Sequence, residues 1–204
     1  AAATEKPQLL RPVSAAGMAT RGRTVWPMNR EQSRRFAIAC LAAGVVVLVD
    51  QATKAAALNG LSQDERIPLL GDLLGLQLAF NPGAILSLGA GVTGLLTLLG
   101  VGAVVLLVVA AARARTGWWA MGIGLILGGA IGNLIDRLFS PPGFGVGHVT
   151  DFLAYGNLFI GNLADVALGA GVIVLGLSLW TRHRRSRASA DSAAPATGSV
   201  VSGS

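Results

Sequence analysis

Gly117-Trp-Trp-Ala-Met-Gly-Ile-Gly-Leu-Ile-Leu-Gly-Gly-Ala-Ile-Gly-Asn-Leu-Ile-Asp-Arg-Leu-Phe139 decides how this chain folds. It is long enough to cross a bilayer, for which about 20 apolar residues suffice. Its last third nonetheless carries Asn133, Asp136 and Arg137. At i, i+3 and i+4 these three share one helix face. Ionisable groups within membrane segments are costly and face polar cavities, so they mark a functional site by default. Gly128, Gly129 and Gly132, with Ala130 among them, add a small-residue face of the kind that lets helices pack closely in lipid.

The polar frame of this segment recurs. Asn133-Leu-Ile-Asp136 is answered by Asn162-Leu-Ala-Asp165, and a third carboxylate, Asp151, lies between them. Three further apolar stretches flank the first, giving spans at about 36–58, 92–112, 117–139 and 163–181. Only 13% of residues are charged, against about a quarter in soluble domains. The predicted fold is therefore an all-α membrane protein of four transmembrane helices. Its outer loop 59–91 contains alternating stretches, Ile67–Asp72 and Leu74–Phe80, which predict a small β-like platform between the first two helices.

Charge sets the orientation. Of 16 Lys and Arg, 13 fall before span one, between spans two and three, or after span four. By the positive-inside rule that side is the cytoplasm, with both termini inside. The net charge of +6 then reflects topology and attraction to anionic membrane lipid. It is no nucleic-acid signal, because the basic residues form flanks with no reading element between them. Residues 1–35 read as a basic, disordered cytoplasmic tail without the form of a cleavable signal peptide. Residues 36–182 form the four-span domain, and 183–204 a second disordered tail.

Depth brings the acids together. Asp136 lies about 28 Å into span three at ~1.5 Å per residue, at the outer edge of the hydrocarbon. Asp165 begins span four at the same level, Asp50 sits in the outer half of span one, and Asp151 is in the outer loop. By the symmetry of the two frames alone, the working pair would be Asp136 and Asp165. A metal site is not expected: Cys40 is the single cysteine, and His148 and His183 lie on opposite sides. No cofactor is expected either.

Five segments together resemble the bacterial lipoprotein signal peptidases, or signal peptidase II. They are Asp50-Gln-Ala-Thr-Lys54, Asn81-Pro-Gly-Ala-Ile-Leu-Ser87, Gly128-Gly-Ala-Ile-Gly-Asn-Leu-Ile-Asp-Arg137, His148-Val-Thr-Asp-Phe152 and Asn162-Leu-Ala-Asp165. The resemblance implies an aspartyl endopeptidase of the inner (cytoplasmic) membrane, working at its outer face as a monomer. Its substrates would be diacylated prolipoproteins, cut just before the lipidated cysteine. It implies Asp151 and Asp165 as the catalytic carboxylates, in place of the pair that symmetry suggests. Asn81, Gly83, Asn133, Asp136, Arg137, Asn162 and Ala164 would bind substrate or support the site, with Asp50 and Lys54 structural. Ile85, Leu86 and Gly161 depart from the family pattern, where a small residue and two Phe are usual.

Other chemistries fit less well. The Asp-[Thr/Ser]-Gly of pepsin-like enzymes and the Gly-x-Gly-Asp of presenilins are absent, and no span pairs a Ser with a Lys at the outer face. The alternative from another class is a small proton-coupled transporter using buried Asp residues. It would spread polar groups through the bilayer depth, whereas the middle of the second span is wholly apolar.

Overall fold

The computed structural model describes residues 29–83 and 90–193. Four long helices are present, α1 (Arg30–Gly60), α2 (Thr93–Ala112), α3 (Gly117–Phe139) and α4 (Leu163–Ala193). Each includes a stretch long and apolar enough to cross a membrane. Strands β1 (Ile67–Leu70) and β2 (Leu74–Asn81) occupy the first interhelical loop, and β3 (Val149–Tyr155) and β4 (Phe159–Gly161) the last. They form one antiparallel sheet in the order β1-β2-β3-β4.

The helices start where side chains can cap them. Asn29 accepts from the Gln32 amide at 2.8 Å to open α1, and the Thr116 hydroxyl accepts from the Trp119 amide at 3.2 Å to open α3. Such caps satisfy amides that lack a partner within the helix. α3 packs against all three other helices. Gly128 and Gly129 show why it can: a Cβ on the first would lie 2.8 Å from the Ala43 carbonyl of α1, and on the second 2.5 Å from the Ala164 carbonyl of α4. Lipid cannot drive helices together by hydrophobicity, so close backbone approach at small residues supplies the packing. Large apolar side chains such as Leu48, Leu98, Leu106 and Ile173 point outward, as a lipid-facing surface requires.

The sheet is fastened to the end of the bundle by Leu78 and Phe152, which bury against Ala57 of α1. β2 bulges between Leu76 and Ala79. There the Leu78 amide leaves the ladder and donates to the Ser62 carbonyl at 3.0 Å. A bulge re-aims the side chains that follow it, here the Ala79-Phe80-Asn81 run that pairs with β3 around Asp151.

Two differences from the sequence reading concern element limits. α1 begins at Arg30 and α4 continues to Ala193, so residues 183–193, read as tail, extend the last helix. Charged residues do not end a helix once it has left the membrane, since its backbone bonds are all internal. Residues 1–28 and 194–204, the rest of the two expected tails, lie outside the described residues, as do Ile85 and Leu86. The outer loop expected to carry Asp151 instead contains the β3–β4 hairpin, turned at Gly156 with φ 55°, a conformation glycine adopts without strain.

Candidate active site

The two Asn-x-x-Asp frames have different structural meanings. Asn162 is the residue before α4, and Asp165 is the third residue within it. The Asn162 side-chain oxygen accepts from the Asp165 amide at 3.1 Å, while Asp165 Oδ2 accepts from the Asn162 amide at 3.2 Å. This reciprocal pair is a capping box. Asn133 and Asp136, by contrast, lie inside α3 near its end, and their backbone groups need no cap.

Asn162 also reaches the other carboxylate. Its amide nitrogen donates to Asp151 Oδ1 at 2.5 Å, and Asn81 at the end of β2 donates to Asp151 Oδ2 at 3.1 Å. One fully buried asparagine thus holds Asp151 with its side chain and Asp165 with its backbone. The two acids differ in setting: Asp151 is only 2% exposed, whereas Asp165 is exposed. Burial, then the charge of Asp165, push the Asp151 carboxyl up to about 6, against the pull of the two asparagine hydrogen bonds and Lys54. Tyr155, stacked on Phe159 at 4.8 Å, feels the same charge: burial first, then Asp165, raise its phenol above the ordinary value. A cavity of about 310 Å³ opens beside Asp151, lined by Ala79, Phe80, Asn81, Leu158, Phe159 and Ile160.

Behind this pair lies a buried ionic hub. Lys54 Nζ sits 2.8 Å from Asp50 Oδ2, 3.0 Å from Asp136 Oδ2 and 3.0 Å from Asn133 Oδ1. An ammonium has three donors, and here each has its own acceptor. Lys54 thereby fixes which end of the Asn133 amide faces away from it. The far end, Nδ2, donates to Asp165 Oδ1 at 3.0 Å. Asp50 carries the hub to α4 directly, its Oδ1 accepting from the Ala164 amide at 2.9 Å. Negative charge at a helix N-terminus is favoured by the backbone dipoles. Gly132 makes room for this carboxylate, since a Cβ there would lie 2.5 Å from Asp50 Oδ2. Gln51 ties the hub together, donating to Asp50, the Gly132 carbonyl and Asp136, each at 3.2 Å.

Asp136 and Arg137 do not pair with each other. Adjacent helical residues point about 100° apart, so they serve different partners. Asp136 takes Lys54 and, through Oδ2, the Thr150 amide of β3 at 3.0 Å. Arg137 donates to the carbonyls of Pro82 and Gly83, which holds the turn after Asn81 against the end of α3. Asn81 Oδ1 accepts from the Gly83 amide at 3.0 Å, so the same turn orients its amide toward Asp151. No buried side-chain nitrogen or oxygen among the described residues lacks a partner. None of their His, Cys, Asp and Glu side chains forms a group of three suited to a metal ion.

Gln51, Thr150 and Tyr155 have roles that the motifs did not indicate. Gln51 and Thr150 lay within quoted segments, but helix phase and strand register were needed to see what they touch. Lys54 was expected to be structural together with Asp50; its contact with Asn133 was not foreseen.

Comparison with known proteins identifies the family. The family model described as signal peptidase (SPase) II matches residues 42–181. A lipoprotein signal peptidase of Leifsonia xyli subsp. xyli is 46% identical over 159 residues, covering 74% of each chain. One from Rhodococcus jostii is 44% identical over 133 residues, 65% of this chain and 67% of the relative. Among solved structures, a bacterial membrane enzyme determined by the in meso method at 2.3 Å superposes with a TM-score of 0.62 at 26% identity, covering 70% of this chain and 87% of the other. A second, at 1.9 Å, gives 0.59 at 25% identity, covering 69% and 91%. With five motifs in order, four spans and a family match over most of its length, this chain belongs to the signal peptidase II family.

Proposed function

We propose that the chain is an aspartyl endopeptidase that removes signal peptides from diacylglyceryl-modified prolipoproteins, cleaving just before the lipidated cysteine. Family membership supports a membrane protease of lipoprotein processing. The observation that carries the mechanism is the Asn162 bridge, which couples a buried Asp151, its carboxyl raised to about 6, to an exposed Asp165.

Two neighbouring carboxylates in unlike settings divide acid and base roles between them. Asp165, reachable by water, removes a proton from a water molecule as its oxygen attacks the scissile carbonyl. Asp151, protonated, donates to the carbonyl oxygen as the carbon becomes tetrahedral. Collapse breaks the C–N bond; the proton held on Asp165 passes to the leaving amine, and Asp151 recovers its own from the hydroxyl it protonated. Asn81 and Asn162 hold Asp151, Asn133 holds Asp165, and Asp136 with Arg137 keep β3 and the Asn81 turn in place. The extended end of the signal peptide lies along the groove between Ala79–Asn81 and Leu158–Ile160. Asp50 and Lys54 fasten α1, α3 and α4 beneath the site. The positive-inside distribution supports a site at the outer face with both termini cytoplasmic, in a monomer that contains every group named.

The test is cleavage of a synthetic prolipoprotein peptide, diacylated at its cysteine, by the purified chain. A single cut before that cysteine, lost when the peptide is not acylated, is expected. Equal cleavage of the unacylated peptide would remove the proposed substrate class, and no cleavage of either would remove the reaction.

A further inference from the structure

At the opposite end of the bundle from the acids, α4 presents Val174, Leu177, Ser178, Thr181, Arg182 and Arg185 to a groove closed on its other side by Thr116 and Trp118 of the α3 entry. The groove encloses about 490 Å³. Intervals of three and four residues put all six on one helix face. Their order along the axis is the informative feature. Val174 and Leu177 are apolar and within the span, Ser178 and Thr181 are hydroxylic, and Arg182 and Arg185 stand at its end, the whole covering about 16 Å of helix. Arg184 is turned to another face and stacks on Trp180 at 4.2 Å. The cations of the groove are thus arranged in depth by the helix.

We propose that this groove binds one anionic phospholipid of the surrounding leaflet. Its phosphate would lie between Arg182 and Arg185, close to the first turn of α3, where the backbone dipoles also favour an anion. One acyl chain would run along Val174 and Leu177, and Trp118, exposed at the membrane edge, would pack beside it as interfacial tryptophans do. Charge complementarity selects this occupant: a peptide helix would have to meet the arginines with acids at one end only, and a zwitterionic lipid brings its own cation. Occupancy would clamp the α3–α4 pair, whose far ends carry Asn133 and Asp165.

The test uses the full chain, delipidated in neutral detergent, titrated with phosphatidylglycerol, phosphatidylcholine and inorganic phosphate while native mass spectrometry counts bound molecules. One phosphatidylglycerol should bind at least about tenfold more tightly than phosphatidylcholine, given ~1 kcal/mol per basic residue near a charged lipid. Arg182→Gln with Arg185→Gln should abolish that preference, and Arg34→Gln with Arg35→Gln, the same charge change on α1, should leave it intact. Equal binding of the two lipids, a preference surviving in the groove variant, or equal loss in the α1 variant would overturn the proposal. Displacement of phosphatidylglycerol by millimolar phosphate would overturn it too, because the site would then be one for a free anion. None of these results depends on whether the chain cleaves anything.

Discussion

Replacing Lys54 by Met tests how the site is held. The thioether nearly matches the lysine stem in length but removes the ammonium that touches Asp50, Asp136 and Asn133. Asp50 is 0% and Asp136 5% exposed, so two carboxylates would face each other out of water. Breaking a buried ion pair by deleting one partner costs ~3–5 kcal/mol. That is a large part of the ~5–15 kcal/mol that holds a typical domain. Thermal unfolding in detergent, followed by intrinsic tryptophan fluorescence, should show a midpoint lowered by on the order of 10 °C. Adding Asp136→Asn should restore part of it by removing the repulsion. Turnover should stay low in the double variant, because the Asn133 amide would no longer be held with its nitrogen toward Asp165. A Lys54→Met protein within 2 °C of the parent would refute the hub as a stabilising element. A double variant with full activity would refute the link through Asn133.

The parent should lose unfolding temperature as pH rises from about 4 to above 6, and Asp151→Asn should flatten that slope. A carboxyl raised from 3.8 to about 6 in the fold binds protons more readily there than in the unfolded chain, so stability falls as pH rises through that window. The penalty in the parent is at most about 3 kcal/mol at ~1.36 kcal/mol per unit, and it should be absent below pH 4. For the same reason kcat/KM of the parent should decline above about pH 6 as Asp151 loses its proton, which a pH–rate profile with the diacylated peptide would show. Gly161→Ala would set a Cβ 2.9 Å from Asp165 Oδ2, so peptide turnover should fall several-fold with little change in unfolding temperature. Arg137→Ala should leave the buried Gly83 carbonyl without this donor, at ~1–3 kcal/mol, while the Pro82 carbonyl keeps the Thr93 hydroxyl at 2.8 Å. Its kcat should fall further than that loss of stability explains, because Asn81 would lose its aim at Asp151.

The four helices were legible because lipid imposes a length and an apolarity that sequence displays openly. The β1–β2 platform was legible from the alternation in 67–80. The β3–β4 hairpin was not, although Val149-Thr-Asp-Phe-Leu-Ala-Tyr155 is rich in strand-forming residues. Its partner β2 lies about seventy residues earlier, and only that pairing makes the segment a strand. The candidate site was legible as a set of residues that the fold brings together. How those residues divide was obscured by the likeness of the two Asn-x-x-Asp frames. One frame starts a helix and the other lies inside one, and helix phase then assigns Asp136 to Lys54 and Arg137 to the Asn81 turn. Such assignments depend on which side chains other elements bring near, which spacing along one chain does not contain.

The central claim is that Asp151 and Asp165 together carry out hydrolysis. Asp151→Asn and Asp165→Asn, each made in the full chain, should bind the diacylated prolipoprotein peptide with nearly the parent affinity. Each should turn it over slower by at least about 10³-fold, as loss of a member of an acid–base pair entails. Near-parent turnover by either variant, with Asp136→Asn inactive yet folded, would contradict the account and move the chemistry to Asp136.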